Sequence, residues 1–247
     1  KEYAGQGQKV MNAMWGAGQM MFNKILVMAD QGVKIQDYEA LAKYVLKNLN
    51  PSTDISFASG PMDVLDHSCS KMGFGGKMCI DGTSKFEEEK EESYELPVSG
   101  FGLSESLIKQ KFPEVYVVNV SLLKKEIPCI IISVKKNRPK HIQELHEQIC
   151  ALKEIEGIKM ILYVEHTVNA NDLTTALWRF CNNLDPKRDH HLCKRPTHDL
   201  RLTTHDLYYA CMGFDGTRKT KEQDNFQRDW PNIIVADDET IKAVDDK

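Results

Sequence analysis

Between residues 190 and 211 the chain gathers His190, His191, Cys193, His198, His205 and Cys211. Imidazole and thiolate are good zinc ligands, so this is the densest concentration of metal-binding groups in the sequence. The spacings match no compact zinc pattern, and no metal site is assigned to them. Nucleophilic chemistry by a Cys–His pair needs a spatial pairing that spacing alone does not give. Cys193-Lys-Arg-Pro-Thr-His-Asp199 could hold an anion, but with only two cations to do it. Gly5-Gln-Gly7 has the faint form of a phosphate cradle at a helix start. The third glycine and the acidic residue of the dinucleotide fingerprint are missing, so these glycines are read as helix entry.

The elements that would position such groups must come from a chain of 247 residues, enough for one large domain or two small ones. With 41% hydrophobic and 28% charged residues it can bury a sizeable core, which excludes disorder as its main state. A net charge of −4 argues against nucleic-acid binding through bulk positive charge. No apolar run approaches the roughly 18 residues of a membrane span; the longest, Ile127 to Val134, is broken by Pro128 and Ser133. Seven cysteines without a CxxC signal neither a disulfide scaffold nor a zinc ribbon, and point to a reducing cytoplasm. The start at Lys1, without Met or signal peptide, suggests a piece of a longer protein.

The chain repeats itself. Lys24-Ile-Leu-Val-Met-Ala-Asp30 falls on Lys159-Met-Ile-Leu-Tyr-Val-Glu165, and Asn50-Pro51…Asp54 on Asp185-Pro186…Asp189, at an offset of 135. One residue is then lost, and Asp81-Gly82-Thr83-Ser84-Lys85 falls on Asp215-Gly216-Thr217-Arg218-Lys219. Tyr38, Leu41, Ala42, Val45 and Leu49 match Leu173, Ala176, Leu177, Phe180 and Leu184, one face of a helix. In the first copy the positions of His190 and His191 hold Ile55 and Ser56, a further reason against a metal there. Asp81, Gly82, Asp215 and Gly216 are therefore read as structural turns, since a catalytic Asp has no reason to be duplicated.

The patterning predicts helix 6–21, strand 24–29 and helix 36–49 in the first copy. In the second it predicts strands 115–120 and 129–134, a helix opened by Pro139 and closed by Gly157, strand 159–164, and helix 172–183 capped by Asn171. A strand near 189–193 follows. Gly16 and Gly18 inside the first helix each cost roughly 1 kcal/mol against Ala and imply a close backbone approach. The fold class expected is α/β, two tandem copies of a layered unit with a mixed β-sheet flanked by helices. The units are 1–86, lacking its leading strand pair, and 112–247, a degenerate copy. An acidic and Pro/Gly linker, 87–111, includes Leu96-Pro-Val-Ser-Gly-Phe-Gly102.

Several motifs of the first unit occur in a familiar order: Lys9-Val-Met-Asn-Ala-Met-Trp-Gly-Ala-Gly-Gln-Met-Met21, Lys24-Ile-Leu-Val, Asn50-Pro51…Asp54, Gly60-Pro-Met-Asp-Val-Leu-Asp-His67 and Gly75-Gly-Lys-Met-Cys-Ile-Asp-Gly-Thr-Ser-Lys85. This series resembles the C-terminal region of UbiD-like carboxy-lyases, the 3-polyprenyl-4-hydroxybenzoate decarboxylase family. The resemblance covers residues 1–86; the second unit follows the plan more loosely from Phe112-Pro-Glu-Val, including the Lys135-Lys136 strand end. The family pattern is Asp-Ala-Thr-(Arg/Lys)-Lys where this chain has Gly82 and Ser84, so both are departures.

The resemblance implies a non-oxidative decarboxylase that uses prenylated FMN and a divalent metal, usually manganese, in ubiquinone or menaquinone biosynthesis or on a related aromatic acid. The family's acidic Glu-Gly-Pro-(Phe/Tyr)-Gly-Glu motif is absent here, so no catalytic residue, flavin or metal is assigned to this chain. What the resemblance leaves local is oligomerisation, in a homo-oligomer, and a wall of the substrate pocket beside an upstream catalytic domain. That wall is expected in the loop Ser59–Gly76, with Pro61, Met62 and Leu65 as lining residues. A cytoplasmic protein with no nucleic-acid partner and no transmembrane segment follows, with peripheral membrane association through a prenylated substrate. The alternative is a stand-alone duplicated α/β binding or regulatory module without catalysis, distinguished by the reading frame upstream of Lys1.

Overall fold

The computed structural model describes residues 1–90, 103–196, 208–232 and 236–246. In chain order the elements are α1 (Gln6–Trp15), β1 (Ile25–Met28), α2 (Tyr38–Asn48), β2 (Ile55–Pro61), β3 (Phe74–Asp81), α3 (Glu105–Lys111), β4 (Val115–Asn119) and β5 (Cys129–Val134). Then come α4 (His141–Cys150), β6 (Met160–Glu165), α5 (Leu173–Asn183), β7 (His190–Pro196), β8 (Tyr208–Asp215), α6 (Lys221–Asp224) and α7 (Asp238–Asp245). The duplication is visible element by element. α1, β1, α2 and β2 begin 135 residues before α4, β6, α5 and β7, and β3 begins 134 before β8.

The first sheet has the order β1-β3-β2, with β3 parallel to β1 and antiparallel to β2. The second has the order β4-β5-β6-β8-β7, and its last three strands repeat the same pairing. The strands it adds are β4 and β5, antiparallel to each other, with β5 parallel to β6. Strand alternation sorts the second sheet's side chains into two cores. Cys129, Ile131, Met160, Leu162, Val164, Met212 and Phe214 face α5 and also meet Val45, Leu46, Leu49, Ile55, Met78 and Ile80 of the first copy. One apolar core therefore joins both copies. Ile130, Ile132, Val134, Ile161, Tyr163, Cys193 and Cys211 face the other way, under Ile142, Leu145 and Ile149 of α4 and Ile108 of α3.

Several boundaries differ from the sequence reading. Helix 6–21 is broken: α1 ends at Trp15, Gly18 takes φ 46°, and a 3-10 turn covers Gly18–Phe22. The two glycines that weaken the helix are where it stops. The helix expected from Pro139 starts at His141 after a left-handed Lys140 (φ 58°) and ends at Cys150, before a 3-10 turn at Lys153–Ile155 and Gly157. Asp172, not Asn171, caps α5 by accepting from Thr175 N at 3.1 Å, as its counterpart Asp37 does from Ala40 N at 3.0 Å. Within 87–111 lies α3, capped by Ser104 and anchored by the buried Ile108. Residues 96–102 lie outside the described residues.

A charged turn used twice and a groove between the copies

β3 and β8 each end in an Asp-Gly-Thr turn followed by a lysine, half-buried in the first copy (Lys85) and buried in the second (Lys219). In the first copy Asp81 Oδ1 accepts from Thr83 N at 3.0 Å and from the Thr83 hydroxyl. Lys85 Nζ donates to the carbonyls of Asp81 (2.7 Å) and Thr83 (3.1 Å) and lies 3.5 Å from Asp54. In the second copy Asp215 Oδ1 accepts from Thr217 N at 2.9 Å. Lys219 Nζ donates to the carbonyls of Asp215 (2.7 Å) and Thr217 (2.8 Å) and lies 3.5 Å from Asp189. Lys136, at the strand end noted in the sequence, lies 3.7 Å from Asp215 and 2.8 Å from Asp224; Lys1 takes the same place in the first copy, 3.0 Å from Thr83 Oγ1 and 2.6 Å from Glu89. Burial alone would push the Asp215 carboxyl up. The cations of Lys219 and Lys136, with the Thr217 hydrogen bonds, outweigh it and hold the carboxyl well below the usual carboxylate range. A carboxylate so fully paired fixes a turn and is a poor proton carrier.

The expected wall loop, Ser59–Gly76, is shorter than the sequence suggests, because β2 continues to Pro61 and β3 begins at Phe74. Of its lining candidates, Pro61 is exposed at the end of β2, Met62 is buried, and Leu65 is 86% exposed. They are not brought together: Met62 anchors the loop while Leu65 projects from it. The loop is tied to the second copy. Ser68 Oγ donates to Leu184 O at 3.0 Å, His67 Nε2 meets Asn183 Oδ1 at 3.2 Å, and Arg188 donates to Ser68 O at 2.8 Å. Lys24 pairs with Asp66 at 2.9 Å, and Arg228 donates to Cys69 O at 2.8 Å. Where loop and second copy meet, a groove of about 260 Å³ is bordered by Ser59, Lys71 and Phe74 on one side and by Lys187 and Arg188 on the other. That is below the roughly 300–1,000 Å³ of pockets that enclose a drug-sized ligand.

The residues gathered at 190–211 divide between two faces. His190 stacks on Phe57 of the first copy, ring centroids 3.8 Å apart, and its Nδ1 lies 2.9 Å from Pro186 O. Cys193 and Cys211 are directly opposed across β7 and β8, on the α4 side. His198 and His205 lie outside the described residues. Two groups outside the 190–211 stretch join the cysteines from α4: His146 and Cys150, with His146, Cys150 and Cys211 ligand atoms all within 4.8 Å of one another. Burial pulls the His146 imidazole down to about 4, and the Cys193 thiol is pushed up by the neighbouring Cys150 thiol and by burial. The oxygen donors that manganese prefers are not offered here. The i, i+4 spacing of His146 and Cys150, flanked by Leu145 and Ile149, is the one sequence signal that could have found them.

Comparison with known proteins gives one family whose model matches both copies. The model of the 3-octaprenyl-4-hydroxybenzoate carboxy-lyase C-terminal domain covers residues 1–82 and 103–216. Uncharacterized proteins of Helicobacter pylori strains J99 and 26695 are 28% and 27% identical over 247 residues, 99% of this chain and 36% of theirs. The chain thus spans little more than a third of the length of these relatives. An uncharacterized protein of Aquifex aeolicus is 40% identical over 89 residues, 36% of this chain and 18% of its own. Among solved structures, Sedimentibacter hydroxybenzoicus vanillic acid decarboxylase in its open form is 14% identical, with a TM-score of 0.44 over 71% of this chain and 38% of that one. The UbiD-class enzyme HmfF from Pelotomaculum thermopropionicum, in complex with FMN, is 20% identical with a TM-score of 0.41 over 57% and 31%.

Proposed function

The chain belongs to the 3-octaprenyl-4-hydroxybenzoate carboxy-lyase C-terminal domain family, and from that premise we propose that it is the oligomerising, pocket-supporting region of a non-oxidative decarboxylase. The observation that carries this reading is that the same family model matches both copies of the repeat, residues 1–82 and 103–216. In this reading the full polypeptide binds prenylated FMN and manganese upstream, in a catalytic domain of its own. It acts on an aromatic acid of quinone biosynthesis or a related acid, in the cytoplasm, as a homo-oligomer. The flavin supplies the electron sink for loss of CO2, and this chain supplies placement. The two units are 1–86 and 112–247, joined by 87–111. No helix among the described residues is long and apolar enough to cross a membrane, and contact with a bilayer comes through a prenylated substrate.

What this chain does physically is hold the loop 62–73 rigid. Met62 and the Ser68, His67 and Arg188 bonds fix its base against the second copy, and Leu65 is left free to meet a substrate or a neighbouring subunit. The purified chain alone is expected neither to retain prenylated FMN nor to release CO2 from aryl acids, whereas the full polypeptide does both. Turnover by the chain alone would overturn the proposal. Leu65→Asp gives a sharper test. An exposed substitution shifts stability by no more than about 0.5 kcal/mol. In the full polypeptide it is expected to lower kcat/KM about tenfold, the equivalent of 1.4 kcal/mol at the transition state. Unchanged kinetics and unchanged oligomeric state would remove Leu65 from the site.

A further inference from the structure

Behind the second sheet, on the face away from the first copy, His146, Cys150 and Cys211 bring their ligand atoms within 4.8 Å of one another, and a fourth soft ligand, Cys193, stands beside them opposite Cys211. His146 and Cys150 stand one turn apart on α4. Cys193 of β7 and Cys211 of β8 face each other across the antiparallel ladder beneath it. The Cys150 sulfur lies 3.5 and 3.8 Å from the two ring nitrogens of His146, and Cys193 and Cys211 act on it electrostatically. All four residues are buried. We propose that Cys150, Cys193, Cys211 and His146 form a structural zinc site of the three-thiolate, one-imidazole type. Four-coordinate zinc takes this donor set in closed, structural sites, and the thiolates select against the oxygen-seeking manganese.

Three observations distinguish this cluster from ordinary core packing. The first is the histidine's orientation. His146 Nε2 lies 3.2 Å from the Cys211 carbonyl, a bond it can only make as N–H donor. That fixes the tautomer and leaves Nδ1 with its lone pair, the arrangement by which metal-binding histidines are oriented. This lone pair accepts from the Tyr163 hydroxyl at 3.1 Å, a contact that metal binding would replace. The ring lies against Gly213, where a Cβ would come 2.6 Å from Nδ1, so the sheet is recessed to admit it.

The second observation is Arg195. Its Nε is buried without a hydrogen-bond partner, while its guanidinium lies beside the Cys193 thiol. Three thiolates, one neutral imidazole and a divalent ion leave one net negative charge, which this guanidinium would balance, its orphaned N–H turning to the Cys193 sulfur. The third is the repeat. The corresponding positions of the first copy are Met11, Trp15, Ala58 and Lys77, so the shared fold does not require these ligands. All four occur together in the second copy only.

The test is metal content and cobalt spectroscopy on the chain purified reduced from zinc-supplemented medium. The expected result is one zinc per chain after desalting. Replacement by cobalt(II) should give intense tetrahedral d–d bands and a thiolate-to-cobalt charge-transfer band. Cys211→Ser should lower the charge-transfer intensity by about a third or more, whereas Cys181→Ser, at an exposed cysteine, should keep both metal and spectrum. Circular dichroism confirms that each sample is folded; if Cys211→Ser does not fold, the wild-type measurements decide alone. A folded wild-type chain with no stoichiometric zinc and no cobalt–thiolate band overturns the site, as does an unaltered cobalt spectrum in folded Cys211→Ser.

Discussion

Asp215→Asn is expected to cost the fold about 3 kcal/mol, the low end of what removing one partner of a buried ion pair costs. The substitution keeps the shape of the side chain and its Thr217 contacts but removes the charge that two buried cations share. Lys219 is 2% exposed and Lys136 lies within 4 Å of the same carboxylate. Asp189 and Asp224 remain to those lysines, which is why the upper end of the range is not reached. The check is urea unfolding, where the midpoint should fall with the m-value unchanged. Asp81→Asn makes the internal comparison. Its side chain and that of Lys85 are each 14% exposed, so water screens the pair and the loss should be clearly smaller. Equal losses would show that burial does not set the strength of the two turns.

The same residue sets a pH dependence. Because the folded carboxyl of Asp215 is held below its ordinary range, the unfolded chain binds the proton more readily. The stabilisation is therefore complete above the unfolded value of about 3.9 and is lost as pH falls through the folded value. Asp215→Asn should flatten the acid limb of the stability curve and leave its neutral plateau lower. An acid limb of unchanged slope would place the titration elsewhere.

The duplication was legible because it lies in spacing: the helix faces 41–49 and 176–184 carry the same apolar rhythm, whereas the second helix's cap, read at Asn171, falls one residue later at Asp172. What spacing could not convey was association across distance. His190 and Cys193 are near in sequence yet on opposite faces of one strand. The partners of Cys193 come from a helix some 40 residues earlier, and only the β7–β8 register and the placement of α4 bring them together. The short α3 was hidden for another reason. Seven residues cannot announce a helix by periodicity, and only its Ser104 cap and the packing of Ile108 sustain it. Boundaries moved where glycine sits, as at Gly16 and Gly18, because a weakened helix ends where its neighbours let it.

Gly82→Ala and Gly216→Ala are each expected to destabilise by about 1–3 kcal/mol, as overpacking of a close contact does. The family pattern has Ala at the place of Gly82, which makes the sign informative. A Cβ on Gly82 would lie 2.7 Å from Val45 Cα, and one on Gly216 would lie 2.6 Å from the Phe180 ring and 3.1 Å from Phe180 Cα. Val45 and Phe180 are the same position of the repeat, 135 residues apart. Each turn thus presses on its own copy's helix, and backbone atoms cannot swing away as a side-chain tip can. Neither glycine has a positive φ, so Ala is conformationally acceptable and the test reads packing alone. With room for the methyl, the smaller entropy of the unfolded chain would stabilise the protein by about 0.4–1 kcal/mol. Thermal unfolding separates the outcomes. At roughly 2–4 °C per kcal/mol for a chain of this size, both variants should melt several degrees early, and a raised Tm would mean that α2 and α5 stand farther from these turns.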